Sequence, residues 1–338
     1  MSFAELNRFM TTEFEKSDRV YHPSEYWVHL NRTNNAQIDT GGVENFKRTV
    51  VKHYFTWMRV RPWNPMIVFL VRALGPVETL KAAAATFFPL KHDLVPLIES
   101  LALNFMTQLT WRYACKVCPD AMAKVEEPAF GNPPDIRMGG TLISQDIANS
   151  VLEADAMDEG GRLMAARRIC ELGGGYGRTA YVIQRLHPGC QYVMVDIPPA
   201  LAIAQTYMEA VFPEKRVFAF RPFDDFETVR AEIEAADIVC LQPHQLPLMP
   251  EGWADYFINI SSLHEMRKDQ IAHYVAEMFR LLRPGGSFFF KAWKETRIPF
   301  DDIELRFEDY PLEGWDLVYH RTARVQTKFF EALLAKPG

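Results

Sequence analysis

The chain has 338 residues, of which 48% are hydrophobic and 24% charged, as is typical of soluble globular proteins. Its net charge of −6 argues against nucleic-acid binding, which needs a concentrated basic surface. The apolar stretch at 65–74 is too short to cross a membrane and is interrupted by Arg72. The N-terminal residues lack the apolar segment of a secretory signal. We therefore expect a cytoplasmic protein without nucleic-acid or membrane partners.

The N-terminal third predicts a helical module. Phe46, Val50 and Trp57 recur at helical spacing within 41–60, which is typical of an amphipathic helix. Further helices are expected over 77–90 and 93–117, the second with Asp93 as N-cap. The proline- and glycine-rich segment 128–140 is the candidate linker. We therefore predict a helical module at 1–140, for acceptor binding or dimerisation, and a catalytic domain at 141–338.

The cysteines suggest reduced thiols rather than a metal or disulfide framework. Cys115 and Cys118 have the spacing of a redox or zinc pair, but no second pair or histidine cluster completes a site. We expect these two on one face of a helix. No spacing in the sequence supports a metal site.

From about residue 165 apolar strand-like runs alternate with helical patterns, after a predicted helix over 141–157. The expected strands are 167–173, 191–197, 216–222, 236–243, 255–262 and 287–293, and the expected helices are 177–186, 199–212, 225–235 and 268–283. This alternation predicts an α/β fold of Rossmann-like type, with a mostly parallel sheet covered on both faces. Two strand-like pieces near the C-terminus predict an antiparallel end to the sheet.

The glycine cluster "ELGGGYG" follows the first of these strands. It is not the dinucleotide fingerprint G-x-G-x-x-G, because Arg178 stands at the last position. Its pattern is instead an acid, Glu171, followed by Gly173, Gly175 and Gly177. A carboxylate there would repel a pyrophosphate but would suit the ammonium of an amino-acid moiety. The alternative is a tight turn that binds no ligand.

A second acid, Asp196, ends the next predicted strand, where a carboxylate can accept hydrogen bonds from ribose hydroxyls. Two acids around a glycine turn, with no phosphate-clamping lysine, suit a nucleoside without phosphates. S-adenosyl-L-methionine is the common one, and S-adenosyl-L-homocysteine would be its product. Tyr176, Ile197 and Ser261 are the neighbouring positions expected to contact this cofactor.

His264 follows the strand 255–262, on the side where the cofactor should lie. A neutral imidazole there can take the proton from an acceptor hydroxyl during methyl transfer. Glu265 is close enough in sequence to orient the ring. The alternative is a histidine that only caps the following helix or holds a loop.

The chain resembles a bacterial family of sugar O-methyltransferases. The segments that carry the resemblance include "ENFKRTVVKHYFTW", "FGNPPDIRMGGTLISQDIANS", "ELGGGYGRTAYV", "DIVCLQPHQLPLMP", "FINISSLHEM" and "EDYPLEGWDLVYHRTARVQTKFFEAL". The resemblance implies a class I, S-adenosylmethionine-dependent fold and a sugar or glycosylated acceptor. "SSLHEM" is also similar to the "LHDW"-type segment of small-molecule O-methyltransferases, whose histidine is the base, although Glu265 and Met266 replace its Asp and Trp.

Further polar and aromatic residues are candidates for ligand contacts. Gln242 and His244 could contact the adenine or the acceptor, or belong to a polar loop. The expected acceptor contacts are Tyr21, Tyr26, Trp27, Gln145, Asn149 and Arg178, with packing, capping or a surface ion pair as their alternatives. The primary hypothesis is an O-methyltransferase that acts on a hydroxyl of a small molecule, such as a sugar, with His264 as the base. The alternatives are a non-sugar acceptor in natural-product biosynthesis, a cofactor-binding scaffold without turnover, and a nicotinamide dehydrogenase.

Overall fold

The computed structural model describes residues 1–50, 65–87, 97–298 and 303–338. Helix α1 (Phe3–Phe14) is capped by Ser2, whose hydroxyl accepts a hydrogen bond from the Glu5 amide and whose own amide donates one to the Glu5 carboxylate. This reciprocal cap satisfies two amides that the first turn leaves without helical partners. Helix α2 (Glu25–Gly41) ends at Gly42, whose φ of 75° leaves the helical region.

The remaining N-terminal helices differ from the predicted ones in their bounds. A helix over 41–60 was predicted, but the chain turns at Gly42 into a short 3₁₀ segment, Val43–Asn45, and residues 51–64 lie outside the described part. Helix α3 (Pro65–Phe87) starts well before the predicted 77, with a break at Gly75 (φ 77°) that accommodates Pro76. Helix α4 (Leu97–Val117) matches the predicted 93–117, although Asp93 lies outside the described residues.

The predicted linker forms ordered structure that leads into the sheet domain. A short helix α5 (Pro119–Met122) precedes a two-stranded hairpin of β1 (Arg137–Met138) and β2 (Thr141–Leu142). The boundary predicted between 140 and 141 therefore falls in the turn of this hairpin. The helix expected from 141 begins later, as α6 (Gln145–Met157), because the Ser144 hydroxyl caps it by accepting from the Ile147 amide.

An eight-stranded sheet forms the centre of the molecule. Along the chain its strands and the neighbouring elements are β3 (Arg168–Leu172), α7 (Arg178–Leu186), β4 (Gln191–Val195), α8 (Ala200–Val211), β5 (Val217–Phe218), α9 (Arg230–Ala235), β6 (Ile238–Leu241), β7 (Ala254–Ile260), α10 (Lys268–Leu281), β8 (Leu282–Trp293), β9 (Thr296–Ile298), β10 (Ile303–Leu305), β11 (Asp316–Thr322) and β12 (Phe329–Ala335). The strand order is β11-β12-β8-β7-β3-β4-β6-β5, and β9 pairs with β10 in a separate hairpin.

Six strands of this sheet are parallel, and β12 and β11 extend it antiparallel. The predicted alternation and the antiparallel end are both confirmed, and the fold is of Rossmann-like α/β type. Because parallel strands are covered on both faces, they are continuously apolar, as in the buried run Phe288–Phe290 of β8. The carboxyl ends of β3, β4, β6, β7 and β8 meet at one edge of the sheet.

The N-terminal helices share a hydrophobic core with one face of the sheet. Met10, Phe46 and Leu109 belong to the same buried cluster as Ile147 and Ile183.

Within the described residues, no helix is both long enough and apolar enough to cross a membrane. The division into modules at 1–140 and 141–338 stays a prediction.

A buried ion pair also joins the N-terminal region to the segment before α6. Lys47 pairs with Glu127, which also accepts a hydrogen bond from the Ser144 hydroxyl. Both charged side chains are almost fully buried. This contact ties the end of the N-terminal helical region to the start of α6, next to the cavity described below.

Candidate active site

One large cavity opens at the carboxyl edge of the parallel strands. Its volume is about 1380 Å³, above the roughly 300–1,000 Å³ usual for a small-molecule site. Of the predicted site residues it is lined by Tyr21, Tyr26, Trp27, Glu171, Gly173, Gly175, Tyr176, Arg178, Asp196, Ile197, Ser261, His264 and Glu265. The structure therefore brings most of the predicted cofactor and catalytic positions to one place, with room for two ligands.

The glycine turn connects β3 to α7 and forms the floor of the cavity. Gly173, Gly175 and Gly177 all have positive φ, at 76°, 58° and 90°, which residues with a side chain adopt only with strain. At Gly173 an added Cβ would lie 2.2 Å from the Ser262 hydroxyl oxygen. Gly177 is the N-cap of α7 and does not line the cavity. The turn thus keeps backbone, not side chains, against any ligand above it.

Asp196 follows the end of β4 and faces the same cavity. Its Oδ2 accepts a hydrogen bond from the Gly175 amide at 2.8 Å, and its Oδ1 accepts one from the Ile197 amide at 2.7 Å. These bonds hold the carboxylate beside the glycine turn and leave further lone pairs for a ligand. Burial raises its pKa to about 7, because a charged form is poorly solvated there.

Glu171, at the end of β3, lies on the other side of the turn. Its Oε2 accepts a hydrogen bond from the Tyr192 hydroxyl at 2.8 Å. Burial raises its pKa to about 7 as well. Glu171 and Asp196 therefore form a pair of half-ionised carboxyl groups that a cationic or hydroxyl-bearing ligand would stabilise in the charged form.

The donor set of this end of the cavity fits a phosphate-free nucleoside. Two carboxylates can accept from ribose hydroxyls and from an ammonium group, while a pyrophosphate would be repelled. The buried cation of the lining, Arg178, is already paired with Glu153 at 2.6 Å. Among the residues that the structure describes, no group of three His, Cys, Asp or Glu side chains could hold a metal ion.

His264 sits in a 3₁₀ turn after β7 and is 2% exposed. Its Nε2 lies 3.5 Å from Oε1 of Glu265. Its Nδ1 is buried and has no hydrogen-bond partner among the described residues. The Trp293 ring meets the imidazole edge-on, with ring centroids 6.5 Å apart. The ring thus lies at the cavity wall, and one of its nitrogens has no partner among the described residues.

Ser261 marks the end of β7 with an uncommon backbone conformation. Its φ is +57°, a region that few residues other than glycine adopt. Its hydroxyl oxygen is buried without a partner in the described part of the chain. Such strained positions cluster at ligand sites, and this one lies between the glycine turn and His264.

The N-terminal segment covers the cavity. The Ser24 hydroxyl donates to the Glu265 carbonyl at 2.9 Å, and the Asn31 amide group donates to the Pro198 carbonyl at 3.3 Å. Helix α2, which carries Tyr26 and Trp27, is thereby tied to both ends of the site. Tyr21 is mostly packed against Tyr274 and His273, although it also touches the cavity.

Gln242 and His244 are not among the lining residues, so the structure does not place them at the expected adenine contact. The Gln242 side chain instead donates to the Met10 carbonyl at 2.7 Å and anchors α1. His244 packs between Phe14 and Tyr21. The reason is that α1 covers this end of the sheet, which the sequence did not reveal. Pro243, between the two, does line the cavity.

The predicted acceptor residues of α6 point elsewhere. Gln145 and Asn149 are buried and do not line the cavity, and Gln145 donates to the Thr107 hydroxyl at 3.4 Å on the helical side. Arg178 lines the cavity but is neutralised by Glu153, which also pairs with Lys291 at 2.7 Å. The Arg178 guanidinium is thus paired inside the protein, and its expected contact with the acceptor stays a prediction.

Several lining residues were not predicted. Trp293 and Phe329 stack at the end of β8, with ring centroids 4.7 Å apart. Thr296 and Gln326 add polar side chains beside them. Trp293 could have been found, because it ends a predicted parallel strand at the ligand edge. Gln326 could not, because its position depends on how β12 returns along β8.

Residues 142–243 match the family model of the O-methyltransferase domain. They include the glycine turn and Asp196 but end before His264. This segment is therefore similar to O-methyltransferase domains. S-adenosylmethionine is the methyl donor of such a domain, and the carboxylates and glycine turn described above fit that nucleoside.

Curated proteins similar to part of this chain include two mammalian acetylserotonin O-methyltransferases. The Bos taurus protein is 29% identical over 118 residues, which are 35% of this chain and 28% of the relative. The Mus musculus molossinus protein is 30% identical over 225 residues, 63% of this chain and 52% of the relative. The chain thus spans about half or less of the length of these relatives.

Among solved structures, a Burkholderia thailandensis 1,6-didemethyltoxoflavin-N1-methyltransferase with bound S-adenosylhomocysteine is similar at a TM-score of 0.40. It is 15% identical, and the match covers 57% of this chain and 80% of that one. The likeness is too weak to transfer an activity.

Proposed function

We propose that this protein is an S-adenosylmethionine-dependent O-methyltransferase that methylates a hydroxyl of a small molecule, with His264 as general base. The observation that carries the proposal is the shared cavity. Asp196 and Glu171 lie at one end of it, around the glycine turn, and the imidazole of His264 lies on its wall. A site for the nucleoside and a candidate base thus face the same enclosed space.

The environment of His264 supports the role of base. If Glu265 accepts from the Nε2–H group, Nδ1 carries the lone pair and can take a proton. That nitrogen has no partner in the described part of the chain. The 3.5 Å between Nε2 and Glu265 is longer than a good hydrogen bond, but such contacts often shorten in the substrate complex.

S-adenosylmethionine would supply an electrophilic methyl group on its sulfonium and leave as S-adenosylhomocysteine. The protein would hold it with Asp196 at the ribose and Glu171 toward the amino-acid end. His264 would take the hydroxyl proton as the acceptor oxygen attacks, and the Glu265 carboxylate would stabilise the resulting imidazolium. Holding both reactants in one dry cavity is expected to contribute most of the acceleration.

A sugar or glycosylated acceptor is the first candidate. The aromatic side chains of Tyr26, Trp27 and Trp293 line the acceptor side, and aromatic faces can pack on the apolar face of a sugar ring. The second candidate is a phenolic or indolic hydroxyl, favoured by the acetylserotonin O-methyltransferases among the relatives. The same aromatic wall would accommodate a flat ring.

A methyl-transfer screen tests both. The full-length protein would be incubated with S-adenosylmethionine and a panel of methyl pyranosides, glycosylated aromatics, phenols and hydroxyindoles. S-adenosylhomocysteine and methylated product would be followed by mass spectrometry. We expect turnover on at least one hydroxyl compound. Amines and carboxylic acids would be screened alongside, and turnover only on these would contradict methylation of a hydroxyl. Tight cofactor binding with no turnover on any compound would favour a non-catalytic scaffold.

A further inference from the structure

Besides Ser261 and His264, two further side chains of the cavity lining have buried polar atoms without a hydrogen-bond partner among the described residues. The Gln326 side chain is 3% exposed, and neither its Nε2 nor its Oε1 has a hydrogen-bond partner in the part of the chain that the structure describes. The hydroxyl of Thr296 is also unpartnered, in a residue that is 5% exposed. Both residues line the cavity. Since burying a polar group without a hydrogen-bond partner is destabilising, their retention requires an explanation.

The sheet places these side chains away from the nucleoside end. Gln326 lies in the connection between β11 and β12, and its carbonyl accepts from the Phe329 amide that opens β12. Phe329 pairs in register with Trp293, the last residue of β8. Strand β12 is three strands from β3, which carries the glycine turn, and strands are spaced by about 4.8 Å. Gln326 therefore lies roughly 14 Å across the sheet from the glycine turn, beyond His264.

We propose that Gln326 and Thr296 position the methyl acceptor by binding a neutral group that both donates and accepts hydrogen bonds, such as a second hydroxyl or a carboxamide. An amide side chain offers one donor and one acceptor to the same ligand group, and a hydroxyl adds either. This inference rests on the proposed function, because it assigns the far end of the same cavity to the acceptor.

The charges around this end support a neutral group. Arg297 and Glu295 are exposed at the rim and are paired with Glu304 and Arg306. The buried Arg178 is paired with Glu153. Lys328 also lines the cavity, but it is exposed. An anionic acceptor group would find no unpaired buried cation among the described lining residues, so a carboxylate or phosphate held beside the buried Gln326 side chain would lose hydration with little compensation.

The first test needs no acceptor. Gln326→Leu removes an amide that has no partner, so the apo protein should keep its Tm or gain stability. Gln245→Leu is the matched control. Gln245 is fully buried, its Oε1 accepts from the Gln242 amide and its Nε2 donates to the Arg221 carbonyl, both at 2.9 Å, so that variant should melt at a clearly lower temperature. If Gln326→Leu loses as much Tm as Gln245→Leu, Gln326 has a structural role and the proposal is wrong.

The second test uses the methyl pyranoside, or other hydroxyl compound, that the screen finds to be methylated fastest, together with its deoxy analogues. Gln326→Leu and Thr296→Val should raise the KM for the acceptor by about 10-fold while binding S-adenosylhomocysteine as the wild type does. The preference for the hydroxyl compound over one deoxy analogue should shrink in Gln326→Leu. An unchanged preference for every analogue would overturn the assignment.

A third variant tests the charge of the acceptor group. Gln326→Glu keeps the shape of the side chain but replaces its donor by a negative charge. This variant should raise the KM for a neutral acceptor at least as much as Gln326→Leu does. A lower KM than in the wild type would show that the bound group is cationic and would contradict the proposal. Failure of the proposed function would instead show as no methyl transfer by the wild type, and the Tm comparison would still decide the role of Gln326.

Discussion

The Nε2 atom of His264 lies 3.5 Å from Oε1 of Glu265 within one 3₁₀ turn at the end of β7. The other ring nitrogen is buried without a partner among the described residues. The Ser24 hydroxyl donates to the Glu265 carbonyl, so the N-terminal segment helps to fix this turn. A carboxylate near one ring nitrogen and a second ring nitrogen without a partner form the arrangement expected of a general base.

Replacing His264, the proposed base, should affect turnover and leave cofactor binding intact. His264→Gln should lower kcat by about 10²–10⁴-fold, the usual contribution of a positioned base, while the Kd for S-adenosylhomocysteine stays close to the wild-type value. Glu265→Gln should cause a smaller fall, because it only removes stabilisation of the imidazolium. Calorimetry and steady-state kinetics on the best acceptor check this. Equal kcat in wild type and His264→Gln would exclude the histidine from proton transfer.

The Asp196 carboxylate should control cofactor affinity. Asp196→Asn should weaken S-adenosylhomocysteine by about 10–100-fold, the value of a hydrogen bond to a charged group. Because burial raises the pKa of Asp196 to about 7, wild-type affinity should fall as the pH drops from 8 to 6 and the carboxylate becomes protonated. The variant should show a weaker pH dependence. Calorimetric titration at three pH values measures both effects, and identical slopes would contradict the assignment.

The same carboxylate predicts a pH effect on stability. The pKa of Asp196 is raised from 3.8 in the reference state to about 7 in the fold, so between these values the folded chain binds the proton more tightly than the unfolded chain. Its contribution to the free energy of unfolding therefore falls as the pH rises through this window. Urea unfolding at pH 5 and pH 8 would give the free energy of unfolding of the wild type and of Asp196→Asn. Relative to the variant, the wild type should be less stable at pH 8 than at pH 5. A constant difference would show that the folded pKa is not raised.

The glycine turn can be tested apart from general backbone strain. Gly173→Ala should abolish detectable cofactor binding and lower the Tm, because the new Cβ would overlap the Ser262 hydroxyl. Gly314→Ala is the control, since Gly314 also has a positive φ of 82° but has no atom within 4 Å of an added Cβ. It should lose some stability and keep full affinity. If both variants bind the cofactor equally well, the turn is not part of its site.

The buried Glu153 carboxylate, which pairs with both Arg178 and Lys291, should be important for stability. Glu153→Gln would leave two cations in the interior, which costs about 3–5 kcal/mol for a broken buried pair. Glu227→Gln, in an exposed pair with Arg230, should change little. Denaturant unfolding of both variants provides the comparison, and similar midpoints would show that the buried group contributes no more than a surface pair.

The acids and the histidine could be predicted because each ends or follows a parallel strand, and such ends meet at one edge. Glu171, Asp196 and His264 accordingly lie around one cavity. Gln242 follows a strand in the same way, yet its side chain is engaged by α1 through the Met10 carbonyl. Periodicity identifies a helix but not where it packs, so this exclusion was invisible in the sequence.

The helical region shows the same limit. The break of α3 at Gly75 and Pro76 is encoded locally, but the continuation of α3 back to Pro65 is not, because residues 65–74 are apolar without a clear period. The acceptor end of the cavity depends on long-range pairing. Gln326 reaches it only because Phe329 pairs with Trp293, a register that no short motif specifies.

A crystal structure of the full-length protein with S-adenosylhomocysteine tests the central claim most directly. The account predicts the nucleoside above the glycine turn, its ribose hydroxyls within hydrogen-bond distance of Asp196, and its sulfur facing the His264 side of the cavity. Density elsewhere in the molecule, or a sulfur directed away from His264, would contradict it.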